Sequence, residues 1–257
     1  MVANAAAMTP TFQPFKAMPI YRGICKEIEQ LIVRGTLKEG MLLPTEQALC
    51  QQFGVNRSTI REAIRQLEQE GFVTRQGARR LYVSHPAVGE LGSRTSRMLL
   101  LQQVTFKELW EVAMVLEPQA AALAALAATP EDIAMLESLL QSLIDQHRQG
   151  DSLSEHAELD VEFHAQVARA SGNRVLILAR EPINLLYRPT LIRLEETLPQ
   201  SQHRNIEAHR KLVKAIAAHR PDEAAEWMRK HLVDFQRGYK ISGIPMNTSL
   251  QASFPAD

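Results

Sequence analysis

The chain has 257 residues, 45% of them hydrophobic and 23% charged, which suits one large or two ordinary domains and excludes a disordered polymer. Its 29 basic and 29 acidic residues cancel, yet residues 1 to 84 carry eleven Lys/Arg against seven Asp/Glu, so a basic head of net +4 precedes a body of net −4. The two cysteines, Cys25 and Cys50, lie in helical patterns, which excludes a disulfide framework or a cysteine-based zinc site and fits a reducing cytoplasm.

Residues 1–18 hold an Ala-rich stretch, prolines and a single basic residue, Lys16, and read as a flexible leader rather than a signal peptide. From Tyr21 to Arg34, Ile24, Ile28, Leu31 and Ile32 recur at the spacing of an amphipathic helix that ends near Gly35. Thr45, after Leu43-Pro44, reads as the N-cap of a second, short helix running through Ala48, Leu49 and Phe53 to Gly54. Asn56 caps a third, in which Ile60, Ala63, Ile64 and Leu67 share an apolar face that excludes Arg57, Ser58, Arg61 and Arg65. Phe72-Val73-Thr74-Arg75 and Leu81-Tyr82-Val83 have strand character and flank Gln76-Gly77-Ala78-Arg79-Arg80, the pattern of a hairpin with a basic tip.

These elements predict a head over 19–84, followed by a linker over 85–100 with at most one short helix. Residues 101–240 are helical in pattern, with helices near 105–127, 130–149, 153–171, 174–197, 202–219 and 221–238. Pro182 and Pro189 predict that the fourth of these is kinked or broken. Residues 241–257 lose periodicity and read as a flexible tail. No run approaches the roughly 18 consecutive apolar residues of a membrane span, the stretch Leu116 to Ala128 being too short, so no membrane partner is expected.

Two short helices joined at Gly54, the second opening with Asn56-Arg57-Ser58-Thr59, make an element able to enter a major groove roughly 12 Å wide. Arg57 and Arg61 lie four apart on one face, where one can fork onto guanine while the other holds phosphate, and Ser58 and Thr59 can donate to either. Arg79 and Arg80 at the hairpin tip would lie along the minor groove or backbone. The same pattern also suits an ordinary helical hairpin whose arginines form a solvated face.

The residues Gly40-x-x-Leu43-Pro44-x-Glu46, Phe53-Gly54-Val55-x-Arg57-x-Thr59-x-Arg61-Glu62-Ala63 and Leu67-x-x-Glu70-Gly71 resemble the N-terminal domain of the GntR family of transcription regulators. The resemblance covers about residues 20 to 84 and implies a winged helix-turn-helix. It implies that Arg57, Ser58 and Arg61 contact an operator and that the tip from Gly77 to Arg80 touches the minor groove. The chain departs where Arg80 replaces the usual second glycine of the wing, and where Gln47 stands in place of an arginine that contacts DNA in some relatives.

Asp160 and His164, four apart in a helical stretch, project from one face at a spacing suited to chelating a metal ion. His209 and His231 lie on the apolar faces of later helices, where a lone histidine is commonly a hydrogen-bonded core residue. Together the four would make a nitrogen-rich set favouring zinc, or nickel, over magnesium or calcium.

Leu116-Glu117-Pro118, Asp160-x-x-Phe163-His164, Ala170-Ser171-Gly172-Asn173, His209-Arg210-x-Leu212 and Ala224-Ala225 before His231 resemble the FCD domain of the FadR subfamily. That resemblance, over about 90 to 238, implies a six- or seven-helix bundle that pairs with its twin. It further implies Asp160, His164, His209 and His231 as metal ligands and a small organic acid as effector. The arginine often found three residues before the Leu-Glu pair is Ala113 here. Arg188 and Arg193 are candidate substitutes, and His156 a candidate to line the pocket.

The expected protein is mainly α, a winged helix-turn-helix of three helices and a β-hairpin followed by an all-α bundle. It is expected to be a cytoplasmic homodimeric repressor of palindromic operators and not an enzyme, its DNA affinity set by an organic acid bound near a divalent metal. The rivals are a metal-dependent hydrolase or lyase, and a metal-free helical dimerisation scaffold.

Overall fold

The computed structural model describes residues 18–77, 80–150 and 152–253, and the chain divides into two compact units, Met1–Ala87 and Val88–Asp257. The leader up to residue 17 and the tip residues Ala78 and Arg79 lie outside the described residues.

The first unit holds α1 (Ile20–Val33), α2 (Glu46–Phe53), α3 (Arg57–Gln69), β1 (Val73–Gln76) and β2 (Arg80–Val83). Thr45 Oγ1 accepts the Ala48 amide at 3.2 Å and starts α2. Gly54 ends it at φ 64°, a left-handed conformation that lets the chain reverse within two residues and start α3. Ile24, Ile28, Leu49, Ile60, Ile64 and Leu67 close into one core with Val73, Leu81 and Val83. Burying a side chain such as Leu67 stabilises by about 1.5 to 3 kcal/mol. The strands pair antiparallel with Val73 opposite Val83 and Gln76 opposite Arg80, and Leu43 donates its amide to Leu81 at 2.8 Å, stitching the α2 approach to the hairpin.

The second unit is a helical bundle: α4 (Val88–Leu101), α5 (Phe106–Ala127), α6 (Pro130–Gln149), α7 (Leu153–Ala170), α8 (Arg174–Thr197), α9 (Ser201–Ala217) and α10 (Pro221–Ile241). Buried Ala113, Ala120, Ala121, Ala124 and Ala125 on α5 let neighbouring helices approach closely. The full α5 reaches the length and mean hydropathy, 1.3, of a membrane span, although the shorter run read from sequence does not. Its apolar side chains supply the bundle core, and its middle carries the buried, ion-paired Glu117.

The structure corrects three expectations. Most of the stretch read as a linker is α4, which packs on α8: a Cβ at Gly92 would lie 2.4 Å from Glu181 Cγ, and Ser96 Oγ donates to the Pro182 carbonyl at 3.0 Å. The fourth bundle helix, α8, is not broken at Pro182 or Pro189, since each proline removes one donor and packing holds the rest, so of the kink or break expected there the break does not occur. The segment read as a flexible tail folds back on α5, where the Met246 carbonyl accepts the Lys107 amide at 2.9 Å and Leu250 is 2% exposed. It thereby satisfies an amide that the helix start leaves open.

Candidate functional site

Two sites emerge, one in each unit. In the first, α3 presents Arg57, Ser58 and Arg61 exposed, above the buried face of Ile60, Ala63, Ile64 and Leu67. Arg57 is 78% exposed and sits 3.3 Å from Glu46 Oε2 across the α2–α3 turn. Arg65 pairs with Glu62 at 2.9 Å and Arg75 with Glu68 at 3.0 Å. Such surface pairs are worth about 0 to 1 kcal/mol, so the arginines can be released to an anionic partner cheaply.

Asn56 works inward: its Oδ1 accepts the Thr59 amide at 2.9 Å, the Thr59 hydroxyl at 2.8 Å and the Ser58 hydroxyl at 2.7 Å. It caps α3 and orients both hydroxyls. Arg80 is exposed on β2, opposite Gln76.

In the second unit, Asp160 and His164 on α7, His209 on α9 and His231 on α10 are all buried, their ligand atoms within 4.8 Å of one another. His164 Nε2 lies 3.1 Å from His231 Nε2 and 3.4 Å from His209 Nε2, which is in turn 3.6 Å from Asp160 Oδ1. Two nitrogens each about 2.1 Å from one zinc stand about 3.0 Å apart at a right angle and about 3.4 Å apart at the tetrahedral angle.

The surroundings favour lone pairs facing inward. Glu117 on α5 takes His164 Nδ1 at 3.1 Å, leaving Nε2 free. Burial, with His164 beside it, pushes His231 down to about 4 despite nearby carboxylates. Burial, with His231 and His164, pushes His209 well below the usual imidazole value. His231 or His209 in its Nε2–H tautomer can donate to the His164 lone pair, and with those nitrogens deprotonated the same three imidazoles and Asp160 make a nitrogen-rich donor set that fits a borderline divalent metal.

Glu117 also receives Arg180 Nε from α8. Burial would raise its pKa, but Arg180 and His164 outweigh this and hold it at about 2. Asn205 Nδ2 donates to Asp160 Oδ1 at 2.7 Å. Glu117, Arg180, Tyr187 and Asn205 line, with three of the ligand residues, a small cavity of about 20 Å³, where one water-sized occupant fits.

None of the expected effector residues lies there. Arg188 is on the surface, bonded to Ser154 Oγ at 2.7 Å and to Glu158 at 2.5 Å, because its position on α8 faces α7's outer edge. Arg193 is outside the cavity lining. His156 is fully buried one turn before Asp160, its Nδ1 2.8 Å from Glu195 Oε1. Burial lowers its pKa, yet Glu195 more than offsets this and raises it. Ala113 is fully buried in the α5 core. A residue missed from sequence is Arg180, whose signal was a charge, paired in sequence with Glu181, at the end of the apolar run Val175 to Ala179.

Residues 20–83 match the family model "Bacterial regulatory proteins, gntR family", and residues 108–234 match "FCD domain". The chain is 32% identical over 218 residues to the HTH-type transcriptional repressor NanR of Cronobacter sakazakii, covering 80% of each. It is 27% identical over 219 residues to the Glc operon transcriptional activator of Escherichia coli, covering 83% of this chain and 86% of that one. The solved structure of Streptococcus agalactiae GntR is similar with a TM-score of 0.62 at 30% identity, over 84% of this chain and 99% of that one.

Proposed function

We infer the function from kinship: the chain belongs to the GntR family of bacterial regulatory proteins, carries an FCD domain, and is a DNA-binding transcription regulator, not an enzyme. We propose a cytoplasmic repressor, with a DNA-binding head over 19–84, that reads palindromic operators through Arg57, Ser58, Thr59 and Arg61, with Arg80 and Arg79 on the wing. Asn56 serves by orienting the two hydroxyls. Its second unit holds a divalent ion, zinc or nickel, on Asp160, His164, His209 and His231, and an organic acid bound beside that ion shifts DNA affinity.

The observation that carries the metal reading is the meeting of buried His164, His209 and His231 at Nε2. Exposed Val112, Val115 and Leu126 on α5 support a homodimer, since they form an apolar stripe outside the core. Two recognition helices would then read half-sites about one helical turn, roughly 34 Å, apart.

Promoter retardation with and without a panel of small acids, on protein whose metal content is known, tests the whole reading. Retardation that no acid alters, on metal-loaded protein, removes the effector role and leaves a dimerisation scaffold.

A further inference from the structure

Ser58 gives the outer face of α3 an oxygen whose hydrogen is already committed. The Thr59 amide can only donate, so the Asn56 side-chain atom it meets at 2.9 Å is the carbonyl oxygen Oδ1. That oxygen carries no hydrogen. The Ser58 hydroxyl, 2.7 Å from it, and the Thr59 hydroxyl, 2.8 Å from it, must therefore both donate to it. Thr59 is half-buried, whereas Ser58 is exposed. What Ser58 Oγ turns outward is its lone pairs, a polarity that the residue type alone leaves open.

The groups that DNA offers divide sharply against such an atom. Phosphate oxygens are acceptors, so a hydroxyl that can only accept makes no bond with them, and turning its hydrogen outward would break one of the three bonds that converge on Asn56 Oδ1. Base edges in the major groove carry one kind of hydrogen-bond donor, the exocyclic amine of adenine or cytosine. Ser58 is the second residue of α3, and the first turn of a recognition helix is the part that reaches base edges. It lines an open groove with Glu46, Gln47, Arg57 and Arg61. Arg57, directly before it, is held at Nε by Glu46 Oε2 at 3.3 Å, which keeps both Nη groups for an acceptor. Neighbouring residues of α3 thus present opposite hydrogen-bonding polarity to one groove.

Every base pair shows one such amine in the major groove, on one strand or the other. An acceptor at a fixed point therefore separates adenine and cytosine from guanine and thymine on the strand it faces, and does not separate adenine from cytosine.

We propose that Ser58 is a specificity-determining residue that accepts the exocyclic amine of an adenine or cytosine, its polarity set by Asn56. The assignment rests on reading α3 as the recognition helix and names the base chemistry sought at one position of the operator.

Selection of binding sites from a random-sequence duplex library by the full-length protein, followed by retardation of the selected duplex, tests this. The parent protein should enrich adenine or cytosine over guanine or thymine at one position of the site on one strand. Ser58→Ala should lose that restriction and no other. Asn56→Ala, which frees the Ser58 hydrogen, should relax the same position to either class of base, a change that loss of a helix cap does not itself produce. Replacing the facing base by its analogue without the amine, purine for adenine or 2-pyrimidinone for cytosine, should weaken the parent about two- to tenfold and leave Ser58→Ala unaffected. An unchanged restriction in Ser58→Ala, or equal loss in both proteins when the amine is removed, overturns the assignment. Arg57→Ala separates it from the reading beneath it. If that variant keeps the parental site, α3 is not the recognition helix and both fall; if it loses the site while Ser58→Ala keeps it unaltered, only the role of Ser58 falls.

Discussion

His164 donates from Nδ1 to Glu117 Oε2 at 3.1 Å, and that bond decides which nitrogen of the ring faces its partners across the cavity. Replacing Glu117 by Gln removes the charge that orients His164 and neutralises Arg180. Metal affinity should fall about 10- to 100-fold, and stability by about 3 to 5 kcal/mol as the guanidinium is left buried without its counter-charge. Competitive metal titration and urea denaturation read the two effects separately; unchanged metal affinity would dismiss Glu117 as an orienting group.

His209→Ala and His231→Ala each remove one member of the cluster and should lower bound metal well below that of the parent. His156→Ala, whose ring faces Glu195 instead, should leave it near the parental level. Elemental analysis after purification without chelators or nickel resin makes the comparison. Equal loss in all three would point to general unfolding.

Arg57→Ala should abolish specific operator retardation while non-specific binding persists, and the salt dependence should weaken by about one phosphate contact. Specific binding that survives the change intact would mean that α3 is not the recognition helix.

Metal-free protein should lose stability as pH falls, in two stages. His231 and His209 have depressed pKa values in the fold, so they bind fewer protons folded than unfolded. Their contribution is present above the unfolded value of about 6.5 and is lost as pH drops through about 4 for His231. Glu117, depressed to about 2, adds a second loss between about 4.3 and 2. His156, raised, opposes the first stage by gaining stability on protonation. Urea midpoints from pH 8 to 3 should therefore decline below about 6.5, and His231→Gln should flatten the first stage.

What was legible from sequence was what is local. Thr45, Asn56 and Gly54 signal helix ends through their own backbone chemistry, and the helices fall within a few residues of expectation. Asp160 and His164 declare themselves by sharing a face. Glu117 and Arg180 did not, because 63 residues separate them and only the packing of α5 on α8 makes them partners. Helix α4 was hidden by Gly89 and Gly92, which read as linker residues; Gly92 is small because Glu181 needs the room. The returning segment around Leu250 was hidden for another reason: Ile244, Met246 and Leu250 dock at irregular spacing, helped by backbone bonds that leave no mark on side chains.

The close packing at Gly92 has a mechanical corollary. Glu181 and Pro182, on which α4 rests, directly follow Arg180 in the chain. Arg180, which holds Glu117 on α5, sits on the same turn of helix that seats α4, the first helix of the second unit after Ala87. The cavity lining and the seat of α4 therefore meet on one turn of α8.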